Sequence, residues 1–248
     1  MIQNILKGIQ AYFGAFQLIS KLKLWKYFIV PIVISVLTAT LIGVSAYASS
    51  SSIGHYISSF WKWEFGKSAF EMISTFFSGL LIVVTGLVLY KHIVMALSAP
   101  FMSPVSEKIE AYLSEKKHEH RKTSFQEQLI RGIRINLRNL FRELFFTIPI
   151  LLLSIIPVIG LLSTVLLFMM QAYYAGFGNM DYTLERHFKY NESIQFVKKN
   201  KGLAIGNGIV FMLFLLIPIV GVILVLPLSV TAATTETIKN IKRKELLE

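Results

Sequence analysis

YFIVPIVISVLTATLIGVSAYA, residues 27–48, is a run of 22 positions without one charged side chain. A helix needs about 20 consecutive apolar residues to cross the hydrocarbon core of a bilayer, so this stretch alone assigns the chain to a membrane. Comparably long uncharged runs recur three more times. Composition agrees: 54% of the 248 residues are hydrophobic and 16% are charged, whereas soluble domains carry about 45–50% and about 25%. Water-soluble enzymes and nucleic-acid-binding modules are thereby disfavoured, and no nucleic-acid partner or cofactor is expected. The chain has no cysteine, which removes disulfides, thiolate chemistry, Cys-ligated zinc and iron–sulfur clusters.

Working outward, residues 1–26 carry Lys7, Lys21, Lys23 and Lys26 and no acid. Ile5, Ile9, Phe13 and Phe16 recur every three or four residues, the pattern of an amphipathic helix. Two placements are open: flat in the membrane interface, or docked on other helices of the protein. Ala46-Tyr47-Ala48 has the form of a signal-peptidase site, but the apolar run exceeds the usual h-region of about 7–15 residues, so this is read as an uncleaved span. Residues 49–72 are net neutral, with Trp61 and Trp63 among Lys62, Glu64, Lys67 and Glu71. Tryptophans suit the headgroup belt, and the missing positive excess suits the outer face. A second span covers about 73–97, with Lys91 near its end, where a lysine can snorkel to the interface.

Residues 98–143 form the largest polar stretch, with nine Lys+Arg against six Glu. Arg131, Arg134, Arg138 and Arg142 are spaced 3, 4 and 4, which puts four guanidiniums on one helical face. That face can lie over anionic lipid or attract an anion to a pathway mouth; the same field serves both.

Two uncharged stretches then carry the same punctuation. Residues 144–180 contain Ile156-Pro157-Val158-Ile159-Gly160, and residues 202–235 contain Ile217-Pro218-Ile219-Val220-Gly221, 61 residues later. Proline interrupts a helix and the glycine is expected to permit reversal, marking each pentad as a tip. Arms of roughly 13–18 residues reach only about 20–27 Å, short of the hydrocarbon core of about 30 Å. The expected fold is therefore an all-α integral membrane protein with two long transmembrane helices and two re-entrant helical hairpins. One long, kinked span per stretch is the competing reading. Charge favours the hairpins: residues 98–143, 179–201 and 236–248 are net +3, +2 and +1, so positive-inside places all of them, with both termini, in the cytoplasm and only 49–72 outside.

Signals for enzyme chemistry are weak, and no enzyme is expected. GLAIGNG at 202–208 lacks the spacing of a dinucleotide loop and reads as close helix packing. His118 and His120 flank Glu119 in a charged loop, where solvation outweighs metal binding. The notable segment is Ala99-Pro100-Phe101-Met102-Ser103-Pro104-Val105-Ser106-Glu107. Its prolines are expected to break the helix, Ser103 to cap the next one with Pro104 at its first position, and Ser106 and Glu107 to sit in its first turn. Such an N-terminus can bind an oxyanion, or Glu107 can occupy it as a capping carboxylate.

The ordered combination resembles the CysZ sulfate permease family and its wider relatives. Carrying the resemblance are Phe28-Ile29-Val30-Pro31, Ala99-Pro100-Phe101 with Glu107, the basic helix Arg131–Arg142, Ile156-Pro157 with Gly160, Asp181-Tyr182 with His187, Ile217-Pro218 and Ala232-Ala233-Thr234. What it implies is a bacterial inner-membrane protein, usually a homo-oligomer, that conducts sulfate inward for cysteine synthesis. Two stretches depart from the family. Met102 to Ser106 stand where the family has Asn-Gly-Leu-Leu-Ala, and Trp25-Lys26 where it often has two arginines; one ammonium replaces a pair of forked guanidiniums. The expectation is passive, channel-like uptake of sulfate or a related small oxyanion. Lys26, Arg131, Arg134, Arg138 and Arg142 would attract the anion, Ser103 and Ser106 would help bind it, and Glu107 would tune the path. The alternative is a membrane scaffold that keeps the fold without the site.

Overall fold

The computed structural model describes residues 1–114, 123–153, 156–217 and 219–245. His118, Glu119 and His120 lie outside the described residues, as does Pro218 of the second pentad. Among the described residues the regular structure is entirely helical. The helices are α1 (Ile2–Lys21), α2 (Ile29–Ser58), α3 (Lys67–Leu113), α4 (Phe125–Leu153), α5 (Pro157–His187), α6 (Tyr190–Lys199), α7 (Lys201–Leu215) and α8 (Val220–Glu245), with a 3-10 turn at Leu24–Tyr27.

Four helices are long and apolar enough to cross a membrane: Ile29–Ser58, Lys67–Leu113, Ile159–His187 and Gly221–Arg243. α2 and α3 pair along a seam of small residues: Gly54 lies on Thr75, Gly79 on Ser50 and Gly86 on Ile42. Backbones approach closely at such seams, which compensates for the weak hydrophobic drive between helices in lipid. Leu37, Leu41, Val44, Phe76 and Leu81 point outward and stay exposed, as lipid-facing positions should. The connection between the two helices is an aromatic knot in which Trp61 stacks on Phe70 at 4.8 Å and meets Trp63 edge-on at 5.1 Å. Gly66 opens α3 at φ +75°, a conformation that glycine adopts without strain.

α3 corrects the reading of the segment around Ser103. The helix runs unbroken through Pro100 and Pro104 to Leu113, so Ser103 caps nothing and no helix N-terminus is presented at Ser106 and Glu107. Neighbouring helices hold this stretch together by supplying donors. Tyr182 Oη donates to the Met95 carbonyl at 2.6 Å and Arg186 Nη1 to the Ser103 carbonyl at 3.2 Å. These bonds tie α3 to α5 around the two prolines.

Each pentad straddles a helix boundary, so neither stretch is one continuous helix. α4 ends at Leu153, Ile156 is extended, and Pro157 occupies the first position of α5. The second turn lies between Leu215 and Val220, with Ile219 at φ 65°. Glycine does a different job from the one expected. Gly221 sits inside α8 and brings that helix against the Phe214 carbonyl of α7, while Ile219 takes the left-handed conformation. The arms are also unequal: α7 has 15 residues, whereas α5 has 31 and α8 has 26. At 1.5 Å per residue those are about 22, 46 and 39 Å, so both outgoing arms exceed the lengths expected.

α7 is clamped between α1 and α5 by glycines. Gly8 of α1 would place a Cβ 2.8 Å from the Leu203 carbonyl oxygen, and Gly206, Gly176 and Gly208 face the carbonyls of Ile5, Ala204 and Ala172. This bears out the packing reading of GLAIGNG. A polar hub ties the same helices to α8. Tyr12 Oη donates to the Asn207 carbonyl at 2.8 Å and lies 2.7 Å from Ser229 Oγ, while Asn207 joins Asn179 and the Ser229 carbonyl, each at 2.9 Å. α1 is thus docked through Gly8, Ala15 and Ile19. Its bulky apolar side chains Ile2, Leu6, Phe13 and Phe16 remain exposed.

Candidate functional site

Two acid-centred clusters lie in the interior along α3. In the first, Glu143 of α4 receives Lys91 Nζ on Oε1 at 2.7 Å and contacts His92 Nε2 through Oε2 at 3.0 Å. Lys91 is fully buried, which corrects the snorkelling expectation: the chain holds a carboxylate one helix away, so the ammonium turns inward. In the second, Glu110 receives Arg186 Nη2 on Oε2 at 2.9 Å and lies 2.8 Å from His187 Nε2 through Oε1. Each carboxylate therefore bridges a cation and the histidine that follows it in sequence.

The end of α5 organises the second cluster. The last two turns of α5, from Asp181 to His187, present Asp181, Glu185, Arg186 and His187 to neighbouring elements. Ser106 Oγ receives Arg186 Nη2 at 2.6 Å and donates to the Tyr182 carbonyl at 3.0 Å, with Thr183 and Thr234 completing the chain of hydroxyls. Ser103 lies beside the Glu185 carboxyl. Glu185 is 2% exposed, and its Oε1 has no hydrogen-bond partner among the described residues. It lines a cavity of about 230 Å³ with Thr123, Glu127, Ile130, Arg131, Arg134 and Tyr190. At the other end of the cluster, His187 lines a larger cavity of about 540 Å³ with Glu192, Gln195, Lys199, Asn200 and Asn240. Ionisable groups held this deeply in a membrane protein are costly and mark function by default.

The arginine stripe is divided by the fold. Arg131 forks onto Asp181 (Nε to Oδ2 3.0 Å, Nη2 to Oδ1 2.9 Å) and also bonds the Phe188 carbonyl and Ser193 Oγ. Burial opposes its charge, but the Asp181 carboxylate outweighs that and holds the guanidinium above its ordinary pKa. Arg134 lies over the Tyr190 ring at 4.1 Å, at the mouth of the smaller cavity. Arg138 packs over Phe177 at 5.3 Å and donates to Asn139 at 2.8 Å, and Arg142 is exposed. Lys26 is exposed and lies 5.3 Å from the Tyr27 ring centroid, as does Lys108. Glu107 is exposed on α3, turned away from Ser103 and Ser106, which are buried.

The structure thus joins Ser103, Ser106, Arg131 and Arg134 into one region and leaves Lys26, Glu107 and Arg142 outside it. Residue-type reasoning missed Glu110, Glu143, Glu185 and Arg186. A signal existed for the α5 pair: four ionisable residues crowd the end of an otherwise uncharged helix, spaced so that 181 and 185 share a face. Glu110 and Glu143 look like ordinary surface acids of a polar segment and acquire meaning only through the basic residues they meet. No candidate for a metal appears, since among the described residues no three His, Asp or Glu side chains converge.

No individual curated protein matches the chain closely enough to serve as a named relative. The family described as "Sulfate transporter CysZ/Etoposide-induced protein 2.4" matches residues 11–226, a length that takes in α2 through α7, both acid-centred clusters and the two turns. With paired apolar spans, proline-marked helical turns and a charged interior all inside that match, this chain belongs to the sulfate transporter CysZ/etoposide-induced protein 2.4 family.

Proposed function

We propose that the protein conducts sulfate or a closely related small oxyanion across a bacterial inner membrane, passively and inward, supplying sulfur for cysteine synthesis. The observation carrying this reading is a buried polar tract of charged and hydroxyl groups where the ends of α3 and α5 meet α4, flanked by two cavities in an otherwise apolar protein. It comprises Arg131, Arg134 and Glu185 at the smaller cavity, the bonded Ser106 and Arg186, and Glu110 with His187, which lines the larger cavity. Arg134 and Lys26 draw an anion by field, and hydroxyls and guanidinium groups along the tract offer it donors. Lys26, α4 and both termini then face the cytoplasm, with the Trp61–Trp63 turn outside.

A scaffold without transport is the second reading, and one observation favours it: Arg131 and Ser106 are each occupied by several internal bonds. Uptake of radiolabelled sulfate by proteoliposomes separates the two. Transport requires wild-type uptake well above that of empty vesicles, and its reduction in Lys26→Gln and Arg134→Gln. Wild type indistinguishable from empty vesicles leaves the scaffold.

A further inference from the structure

Around α1 the side chains divide into three arcs. One, through Gly8, Ala15 and Ile19, is docked on the protein. A second, through Ile2, Leu6, Phe13 and Phe16, is apolar and exposed, Phe13 at 83%. The third, through Lys7, Gln10 and Ala11, opens into a cleft completed by Glu236, Lys239, Asn240 and Arg243 of α8, with a volume of about 330 Å³. Three cations and one acid line this cleft. Glu236 is engaged by Lys239 at 2.7 Å, and among the described residues neither Lys7 nor Arg243 has an ion-pair partner. An exposed aromatic-aliphatic arc and a cationic cleft therefore adjoin on one helix of a membrane protein.

We propose that this cleft is a binding site for the phosphate of an anionic phospholipid, with the headgroup held by Lys7, Lys239 and Arg243 and the acyl chains lying along Leu6 and Phe13. The charge balance selects an anion, and the guanidinium of Arg243 suits a phosphate's paired oxygens. The adjacent apolar arc distinguishes a lipid from a free ion: an amphipathic helix with bulky apolar residues exposed settles at the level where headgroup meets acyl chain. Gln10 and Asn240 add neutral donors for the headgroup's remaining oxygens. The cleft shares Asn240 with the larger cavity beside His187 but none of the Arg131–Glu185 residues, and lipid binding there does not depend on transport. Its consequence is mechanical, since α1 is clamped to α7 by Gly8 and Gly206, and lipid bridging α1 to α8 strengthens that clamp.

The test uses the full-length protein in neutral detergent, titrated with phosphatidylglycerol, with phosphatidylcholine and with inorganic phosphate, reading bound lipid by native mass spectrometry and the unfolding midpoint by intrinsic fluorescence. Phosphatidylglycerol is expected to bind and to raise the midpoint, and phosphatidylcholine to do neither. A basic residue near an anionic lipid surface contributes about 1 kcal/mol, so Lys7→Gln and Arg243→Gln should each weaken phosphatidylglycerol binding about fivefold, while Lys198→Gln on α6 leaves it unchanged. Equal binding by wild type and the Lys7→Gln/Arg243→Gln pair overturns the site. Inorganic phosphate producing the same midpoint shift overturns the lipid as occupant. If a variant fails to fold, salt titration of the wild type decides: binding that persists undiminished from low to high ionic strength overturns the electrostatic contact.

Discussion

Glu143 accepts the Lys91 ammonium at 2.7 Å with both side chains at most 1% exposed. Removing one partner of such a pair leaves an uncompensated buried charge, at a cost of about 3–5 kcal/mol. Glu143→Gln and Lys91→Met should each lower the unfolding midpoint in detergent sharply. The Lys91→Met/Glu143→Leu double substitution leaves no orphan charge and should recover most of the loss. A double variant as damaged as the sum of the singles would show that the pair is not coupled.

Arg186 is fixed by its shape as well as its charge. Nη1 donates to the Ser103 and Tyr182 carbonyls at 3.2 and 3.0 Å, and Nη2 to Ser106 Oγ and Glu110 at 2.6 and 2.9 Å. Lysine keeps the charge but cannot reproduce a planar fork. Arg186→Lys is expected to destabilise nearly as much as Arg186→Met, whereas Ser106→Ala, which removes one neutral hydroxyl that accepts from Arg186 and donates to the Tyr182 carbonyl, should cost only about 1–3 kcal/mol. Thermal unfolding of the three variants gives the ranking; lysine performing like wild type would reduce the contact to a simple ion pair.

These clusters show why some of the molecule could be read from the chain and some could not. The span at 27–48 and the turns at Pro157 and Ile217–Gly221 are local: their signals are runs and breakers that act within a few residues. Ser103 failed as a cap because α3 continues through both prolines, packed against α5, whose Tyr182 and Arg186 bond α3 carbonyls beside them. The arginine stripe was legible as a face, but not its division. Arg131 meets Asp181 and Arg134 does not, a difference set by α5, 50 residues further along. Glu110 and Glu143 carry no local signal at all.

Glycine positions give a contrast within one helix. A Cβ on Gly8 would meet Asn207 N and the Leu203 carbonyl oxygen, both at 2.8 Å, whereas Gly14 has open space around it. Overpacking costs about 1–3 kcal/mol, while an exposed helical Gly→Ala gains about 0.5–1 kcal/mol. Gly8→Ala should therefore lower the unfolding midpoint and Gly14→Ala should raise it. Opposite signs from two glycines six residues apart would be hard to obtain unless α1 docks on α7 through Gly8; equal effects would reject that interface.

Arg131 and Arg134 lie three residues apart, and the structure gives them different work. Arg131 is 12% exposed and forked onto Asp181, so Arg131→Gln should leave Asp181 without its counter-ion and lower stability. Arg134 is exposed at the mouth of the cavity and rests on Tyr190. An exposed cation–π contact contributes only about 0.5–1 kcal/mol, so Arg134→Gln should unfold close to wild type. If the proposed transport is correct, its effect appears instead in sulfate uptake, which should fall severalfold at low ionic strength and less at high ionic strength, where its field is screened. Arg134→Lys keeps the charge and should restore most of that uptake. Measured together on one preparation, uptake and unfolding separate the attracting role from the structural one. Loss of stability without loss of uptake in Arg134→Gln would return this residue to packing alone.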